Sequence, residues 1–129
     1  MNEQSPGYLG KSEQLKLLLD DIKNEGKLKG IIFAKRDGDL IAENIENNFD
    51  GNTFAAMCAS VLESAEDLKK TLGSKKISKI SADLENDQII IIIECDNKTF
   101  ISLILDKESQ IEQILKKIED ICVKILKSY

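Results

Sequence analysis

Residues 88–94 read QIIIIIE, so five isoleucines, Ile89 to Ile93, stand in one uninterrupted run. A strand with one face in water alternates apolar and polar residues, because successive side chains point to opposite faces. An unbroken β-branched run therefore predicts an interior strand that is covered on both faces. Five buried isoleucines contribute roughly 8–15 kcal/mol of transfer free energy, similar to the net stability of a small domain. The rest of the chain must supply layers above and below this strand.

The chain is long enough for one domain with a single core, since it has 129 residues of which 42% are hydrophobic. It has no apolar run of about 18 residues and no charged-then-apolar leader, so we expect a cytoplasmic protein without membrane insertion. Histidine is absent, and the three cysteines, Cys58, Cys95 and Cys122, lie far apart within apolar patterns. This excludes a Cys–His nucleophile and disfavours zinc. We expect core cysteines, no cofactor, no metal and no catalytic residue.

The net charge of −5 argues against nucleic acid as a partner, because nucleic acid requires a basic surface. Residues 37–67 contain no lysine or arginine and carry a charge of −8, which leaves +3 on the remainder. The eight carboxylates are Asp37, Asp39, Glu43, Glu46, Asp50, Glu63, Glu66 and Asp67. This segment is either a solvated acidic surface or a docking face for a basic partner.

The N-terminal half predicts a helix followed by a hairpin. Residues 1–11 resemble a flexible tail, and 12–129 form the domain. Ser12 is a candidate N-cap for a helix whose leucine and isoleucine spacing continues to Gly26. Asp37-Gly38 then separates two apolar runs, 30–35 and 40–44, which predicts a tight antiparallel hairpin. The two aspartates of the turn, Asp37 and Asp39, fit turn chemistry better than metal or acid/base chemistry.

A long helix is predicted from Thr53 to Leu72, with Gly73 ending it. Within about 80° of its circumference lie residues expected to pack on the sheet, namely Phe54, Cys58, Val61, Ala65, Leu68 and Leu72, with Met57 at the margin. A second strip about 100° further round consists of Ala55, Ala59 and Leu62. Small residues allow another backbone to approach, so we expect this strip to contact a second helix, unless its alanines merely reflect helix propensity.

The C-terminal half predicts a meander and a closing helix. Residues 76–84 form a strand whose lysines protect an edge, and strands 88–95 and 99–105 follow after short turns. From Ser109 onward, apolar residues repeat at helical spacing for about 17 residues. The polar face of this helix mixes both charge signs, which disfavours a membrane-surface helix.

Three helices cannot divide evenly between the two faces of one sheet. If the first and last helices share a face, the middle helix lies alone beside bare sheet, and its wide apolar arc indicates dimerisation about a two-fold axis. Strands 76–84 then form the seam, and with Ser81 on the axis Lys79 faces the partner's Asp83. The expected interface residues are Ala55, Ala59, Leu62, Glu66, Lys69, Lys79, Ser81 and Asp83.

This pattern resembles the Roadblock/dynein light chain domain family in its single-domain, MglB-like form. The resemblance rests on GIIFAKRDGDLIAE (30–43), on FAAMCASVLESAEDL (54–68) and on the meander with its final helix, and covers about 12–127. It implies an α/β (α+β) fold of order α-β-β-α-β-β-β-α, whose five-stranded, mainly antiparallel sheet has one helix on one face and two on the other, in profilin-like layers.

The same resemblance implies a non-catalytic homodimer or paralogue heterodimer that binds, regulates or scaffolds a small Ras-like GTPase. Members do not bind nucleotide themselves, and this chain has no GxxxxGK[ST] loop. The candidate GTPase contacts are Asp37, Asp39, Ser60, Glu63 and Asp67. Arg36, the only arginine, is expected to be a solvated turn residue rather than an arginine finger. A small-molecule sensor or a scaffold for other partners is the alternative, and an enzyme ranks last.

Overall fold

A computed structural model describes residues 10–46 and 48–129. Its elements are α1 (Lys11–Gly26), β1 (Gly30–Lys35), β2 (Leu40–Ile45), α2 (Gly51–Leu72), β3 (Ile80–Asp83), β4 (Ile89–Glu94), β5 (Thr99–Leu105), α3 (Ile111–Lys116) and α4 (Ile118–Ser128). This succession confirms the predicted order, with the final helix in two pieces. The expected tail lies outside the described residues except for Gly10 and Lys11, which begin α1.

The five strands form one antiparallel sheet in the order β2-β1-β5-β4-β3. β5 lies at its centre, and all seven of its residues are buried. In β4, Ile91 and Ile93 belong to the core on one face of the sheet, while Ile92 belongs to the core on the other face. The isoleucine run is therefore an interior strand covered on both faces, as predicted.

The helices divide unequally between the two faces, as expected. Leu15 and Leu19 of α1 share a core with Ile114 of α3 and with Ile121 and Ile125 of α4. The opposite core contains residues of only one helix, α2, among those the structure describes. One sheet face thus carries α1 beside the α3–α4 pair, and the other carries a single helix.

Helix α1 begins two residues earlier than predicted. Gly10 rather than Ser12 is the N-cap, and its N–H donates to Oε1 of Glu13 at 3.3 Å. Ser12 is exposed within the first turn. Further along, Lys16 Nζ donates to the backbone oxygen of Glu43 at 2.9 Å, so α1 reaches the outer edge of β2.

The hairpin between β1 and β2 has the predicted turn. Gly38 has φ +99°, a conformation that L side chains rarely adopt. The backbone N–H of Asp39 donates to Oδ1 of Asp37 at 3.0 Å, so this aspartate stabilises the turn.

The meander and the last helix differ from the prediction in length. β3 comprises only Ile80–Asp83, because its ladder on β4 ends at Ile92, and residues 76–79 lie outside the strand. The closing helix breaks at Lys117, whose N–H donates to the Ile114 oxygen at 3.1 Å. α3 is held against α1, since the Gln110 N–H donates to the Gly26 oxygen at 2.8 Å, and the break allows both α3 and α4 to pack on the same core.

Candidate interaction surface

Helix α2 turns a different face to the sheet from the one predicted. Ala55 and Leu62 are fully buried and Ala59 is 7% exposed, and all three pack on the sheet together with Cys58. Because alanines are small, the helix axis lies close to the sheet, and the isoleucine and phenylalanine side chains of the strands fill the space. The small-residue strip therefore serves the contact with the sheet.

This arrangement corrects two predictions. Val61, Leu68 and Leu72 do not pack on the sheet, whereas the assignment of Cys58, and of Phe54 at the margin of the core, was right. Ala55, Ala59 and Leu62, which were expected in a dimer interface, are instead covered by the sheet of their own chain.

The uncovered side of α2 carries large apolar side chains. We call Met57, Val61, Leu68 and Leu72 the α2 stripe; they are 63%, 44%, 63% and 80% exposed. On the same sheet face, Ile80 of β3 and Ile90 of β4 are only partly buried. Contiguous exposed apolar surface of this kind marks an interaction site in soluble proteins. In the sequence this interaction surface is indicated by the apolar arc of α2, which is too wide to be covered by one sheet face.

The hairpin turn lies directly against the middle of α2. A Cβ atom placed on Gly38 would lie 3.1 Å from the Cα of Ala56, so backbone approaches backbone here. Ser60 follows one helical turn after Ala56 and donates its hydroxyl to the Ala56 oxygen at 3.2 Å. The turn aspartates and the exposed side of α2 thus belong to one surface, and all five candidate contacts named from the sequence are exposed on it: Asp37, Asp39, Ser60, Glu63 and Asp67.

Arg36 is not a solvated turn residue. Its guanidinium forms a close ion pair with Glu94 and lies 3.9 Å from Oε1 of Glu66, whose Oε2 accepts from Lys69 Nζ at 2.8 Å. The Lys69 hydrogen bond, helped by the charge of Arg36, lowers the pKa of Glu66. Glu66 and Lys69, expected in a dimer interface, thus belong to an ion-pair network within the chain.

This network borders an open cleft of about 580 Å³ between the hairpin turn, the second half of α2 and the β4–β5 turn. Glu63 and Asp67 line the same cleft, together with Lys70, Lys75 and Lys76. Its wall is charged, with both signs present, and this suits a polar protein surface better than an apolar small molecule. Among residues 10–46 and 48–129, no group of three acidic or cysteine side chains is arranged to hold a metal ion.

The sequence profile of the Roadblock/LC7 domain matches residues 14–106, which is most of the chain. The chain belongs to the Roadblock/LC7 domain family. Members of this family generally serve as non-catalytic interaction modules. A search of curated protein sequences finds no significant match.

Solved structures with the same fold span nearly the whole domain. Myxococcus xanthus MglB is similar with a TM-score of 0.82 at 12% identity, over 98% of this chain and 92% of that one. The gliding protein MglB of Thermus thermophilus gives 0.80 at 14% identity, over 97% of each chain. A Roadblock/LC7 domain from Streptomyces avermitilis gives 0.79 at 8% identity, over 87% of this chain and 94% of that one. At these identities the likeness establishes the fold. No helix in the described part of this Roadblock domain is both long and apolar enough to traverse a membrane.

Proposed function

We propose that this Roadblock domain is a dimeric interaction module that docks a small Ras-like GTPase. The observation that carries the proposal is the α2 stripe, because four large apolar side chains on the outside of one helix are exposed. Family membership supports the same role.

In the proposed dimer, the α2 stripe of each copy packs against that of the other copy above the uncovered part of the sheet. The partly buried Ile80 and Ile90 extend this apolar surface toward the edge of the sheet. β3 is the edge strand, so its free backbone groups can pair with the partner's β3. Ser81 and Asp83 lie on this edge, and Lys79 lies one residue before the strand. The proposed interface therefore keeps the β3 seam and replaces the small-residue strip with the α2 stripe.

The GTPase-binding surface in this proposal is the acidic surface formed by the hairpin turn and α2. Asp37, Asp39, Glu63 and Asp67 are exposed there, and although Lys70, Lys75 and Lys76 line the same cleft as Glu63 and Asp67, the four carboxylates favour a partner with basic side chains. Arg36 is held by Glu94 and Glu66, so it does not enter the active site of the partner. Any acceleration of GTP hydrolysis then acts by ordering residues of the GTPase itself.

The dimer is tested by light scattering coupled to size-exclusion chromatography. We expect the wild-type chain to be dimeric and Leu68→Glu to be monomeric, because the substitution places a charge in an apolar interface. Leu17→Glu is the matched control, since Leu17 is a 50% exposed leucine of α1 outside the proposed interface. A monomeric wild-type protein, or equal dissociation of both variants, would refute the α2 interface.

The partner class is tested with purified small GTPases loaded with GDP or a non-hydrolysable GTP analogue. Retention of one GTPase in a nucleotide-dependent manner supports the proposal. Glu63→Lys is expected to weaken the affinity for that GTPase by about tenfold or more, because the substitution reverses a charge that faces the partner. Glu112→Lys on α3 makes the same charge change away from the acidic surface and should have no effect. If no GTPase is retained while the protein is dimeric, a scaffold for other partners is the remaining function.

A further inference from the structure

Two of the three cysteines meet at the junction of the sheet and the last helix. Cys95 directly follows β4, and Cys122 lies in the second turn of α4. Cys95 packs against the core that contains Cys122, and the interaction between the two thiols raises the pKa of Cys95 and lowers that of Cys122. The two residues are distant in sequence, so the fold brings the two sulfur atoms together. Cys58 lies on the opposite sheet face, with its thiol 3.4 Å from the Ser102 hydroxyl.

Both thiols border a surface cleft of about 440 Å³. Its walls are the segment that precedes β3, the end of β4 and the exposed side of α4, with Ile77, Ile93 and Val123 among them. Cys95 is partly exposed, whereas Cys122 is 7% exposed. A small oxidant in the cleft therefore has access to one sulfur of a pair whose second sulfur lies next to it.

We propose that Cys95 and Cys122 are a modification site, at which a small-molecule disulfide oxidises the two thiols to an intramolecular disulfide. In the first step one cysteine thiolate attacks the oxidant, which forms a mixed disulfide and releases one small thiol. The second cysteine thiolate then attacks the protein sulfur of the mixed disulfide and releases the second small thiol. Two electrons pass from the protein to the oxidant, and the two protons lost by the cysteines are taken up by the two released thiolates.

The surroundings of the pair make the first step of this reaction slow. The hydrogen bond with Cys122 and burial raise the pKa of the Cys95 thiol, and the nearby carboxylate of Asp96 raises it further. The same hydrogen bond lowers the pKa of the Cys122 thiol, against burial and the carboxylates of Asp96 and Glu119, which raise it. Cys122 is therefore the thiol that deprotonates first, but it is only 7% exposed, so the pair is not a fast redox catalyst. Once formed, the disulfide joins α4 to the end of β4 and closes the chain segment that contains β5 and α3.

The modification is tested by incubating the native protein with oxidised glutathione, followed by denaturation and counting of free thiols. We expect the count to fall from three to one, the intact mass to decrease by two hydrogens, and a proteolytic digest to contain the Cys95 peptide linked to the Cys122 peptide. The oxidised protein should unfold at a temperature on the order of 10 °C higher, because the closed loop restricts the unfolded chain.

Matched variants distinguish this pair from unspecific oxidation. In Cys58→Ser both remaining thiols should still be oxidised, so that no free thiol is counted. Cys95→Ser and Cys122→Ser should each form no intramolecular disulfide. The wild-type thiol count decides the matter even if a cysteine variant folds poorly. Three free thiols after oxidation, a stable glutathione adduct on Cys95, or disulfides only between chains would each overturn the proposal. None of these outcomes depends on GTPase binding or on dimerisation.

Discussion

Replacing Gly38 by alanine measures the contact between the hairpin turn and α2, which assembles the acidic surface. Two costs add at this position. The positive φ of +99° is unfavourable for any residue with a Cβ, by about 1 kcal/mol for alanine. The new methyl group would also lie 3.1 Å from the Cα of Ala56, and relieving that contact requires a backbone shift worth about 1–3 kcal/mol. We therefore expect Gly38→Ala to lower the free energy of unfolding by about 2–4 kcal/mol.

Gly73→Ala is the matched control for this experiment. Gly73 also has a positive φ, +72°, at the C-terminus of α2, but no atom lies within 4 Å of a Cβ built there. It should lose only about 1 kcal/mol. The assay is urea unfolding of both variants at equal protein concentration, with the slope checked for two-state behaviour. Equal losses in the two variants would show that the turn does not touch α2, and Asp37 and Asp39 would then not share one surface with Ser60.

Three further predictions address other parts of the domain. Leu62→Ala should cost about 3–5 kcal/mol of unfolding free energy, because Leu62 is fully buried; a loss below that of the exposed Leu72→Ala would contradict the helix orientation. Asp50 caps α2, and its hydrogen bonds, above all from the Thr53 hydroxyl, lower its pKa. The ionised cap therefore stabilises the fold above the unfolded pKa of about 3.9, and this stabilisation is lost as pH falls through the lowered pKa of the folded state. Asp50→Ala should therefore shift the urea midpoint at pH 7 but hardly at low pH. Lys79→Asp should raise the dimer dissociation constant by placing like charge opposite Asp83, and an unchanged constant argues against that register.

The element order and the turns could be predicted because they depend on local chemistry. The isoleucine run indicates a strand that is buried on both faces. Gly38 and Gly73 have positive φ, which few other residues adopt. By contrast, nothing local distinguishes a helix that continues from one that breaks at Lys117. The break follows from the packing of α3 against Gly26 and of α4 on the same core, and these contacts are distant in sequence.

The orientation of α2 could not be obtained from periodicity alone. Counting apolar residues favoured the face with Val61, Leu68 and Leu72, because that face is the more hydrophobic one. The sheet below is already filled by bulky strand residues such as Phe100 and Ile32, so the face that fits is the one with small side chains. Likewise the charge pattern located the acidic residues but not the partner of Arg36, since Glu94 lies 58 residues away from it in the chain.

The two edges of the sheet are not equivalent. On β2, Lys16 Nζ donates to the backbone oxygen of Glu43, and the side-chain amide of Asn44 donates to Asp20 of α1 at 2.6 Å. Helix α1 therefore shields this edge. β3 is only four residues long, it forms the other edge of the sheet, and its last three residues are exposed. In the dimer that we propose, strand pairing at β3 joins the two sheets into one continuous sheet whose outer margins are both β2. Because both margins of the proposed dimer would be blocked, growth would stop at two copies, and the proposed assembly is a closed unit rather than a fibre.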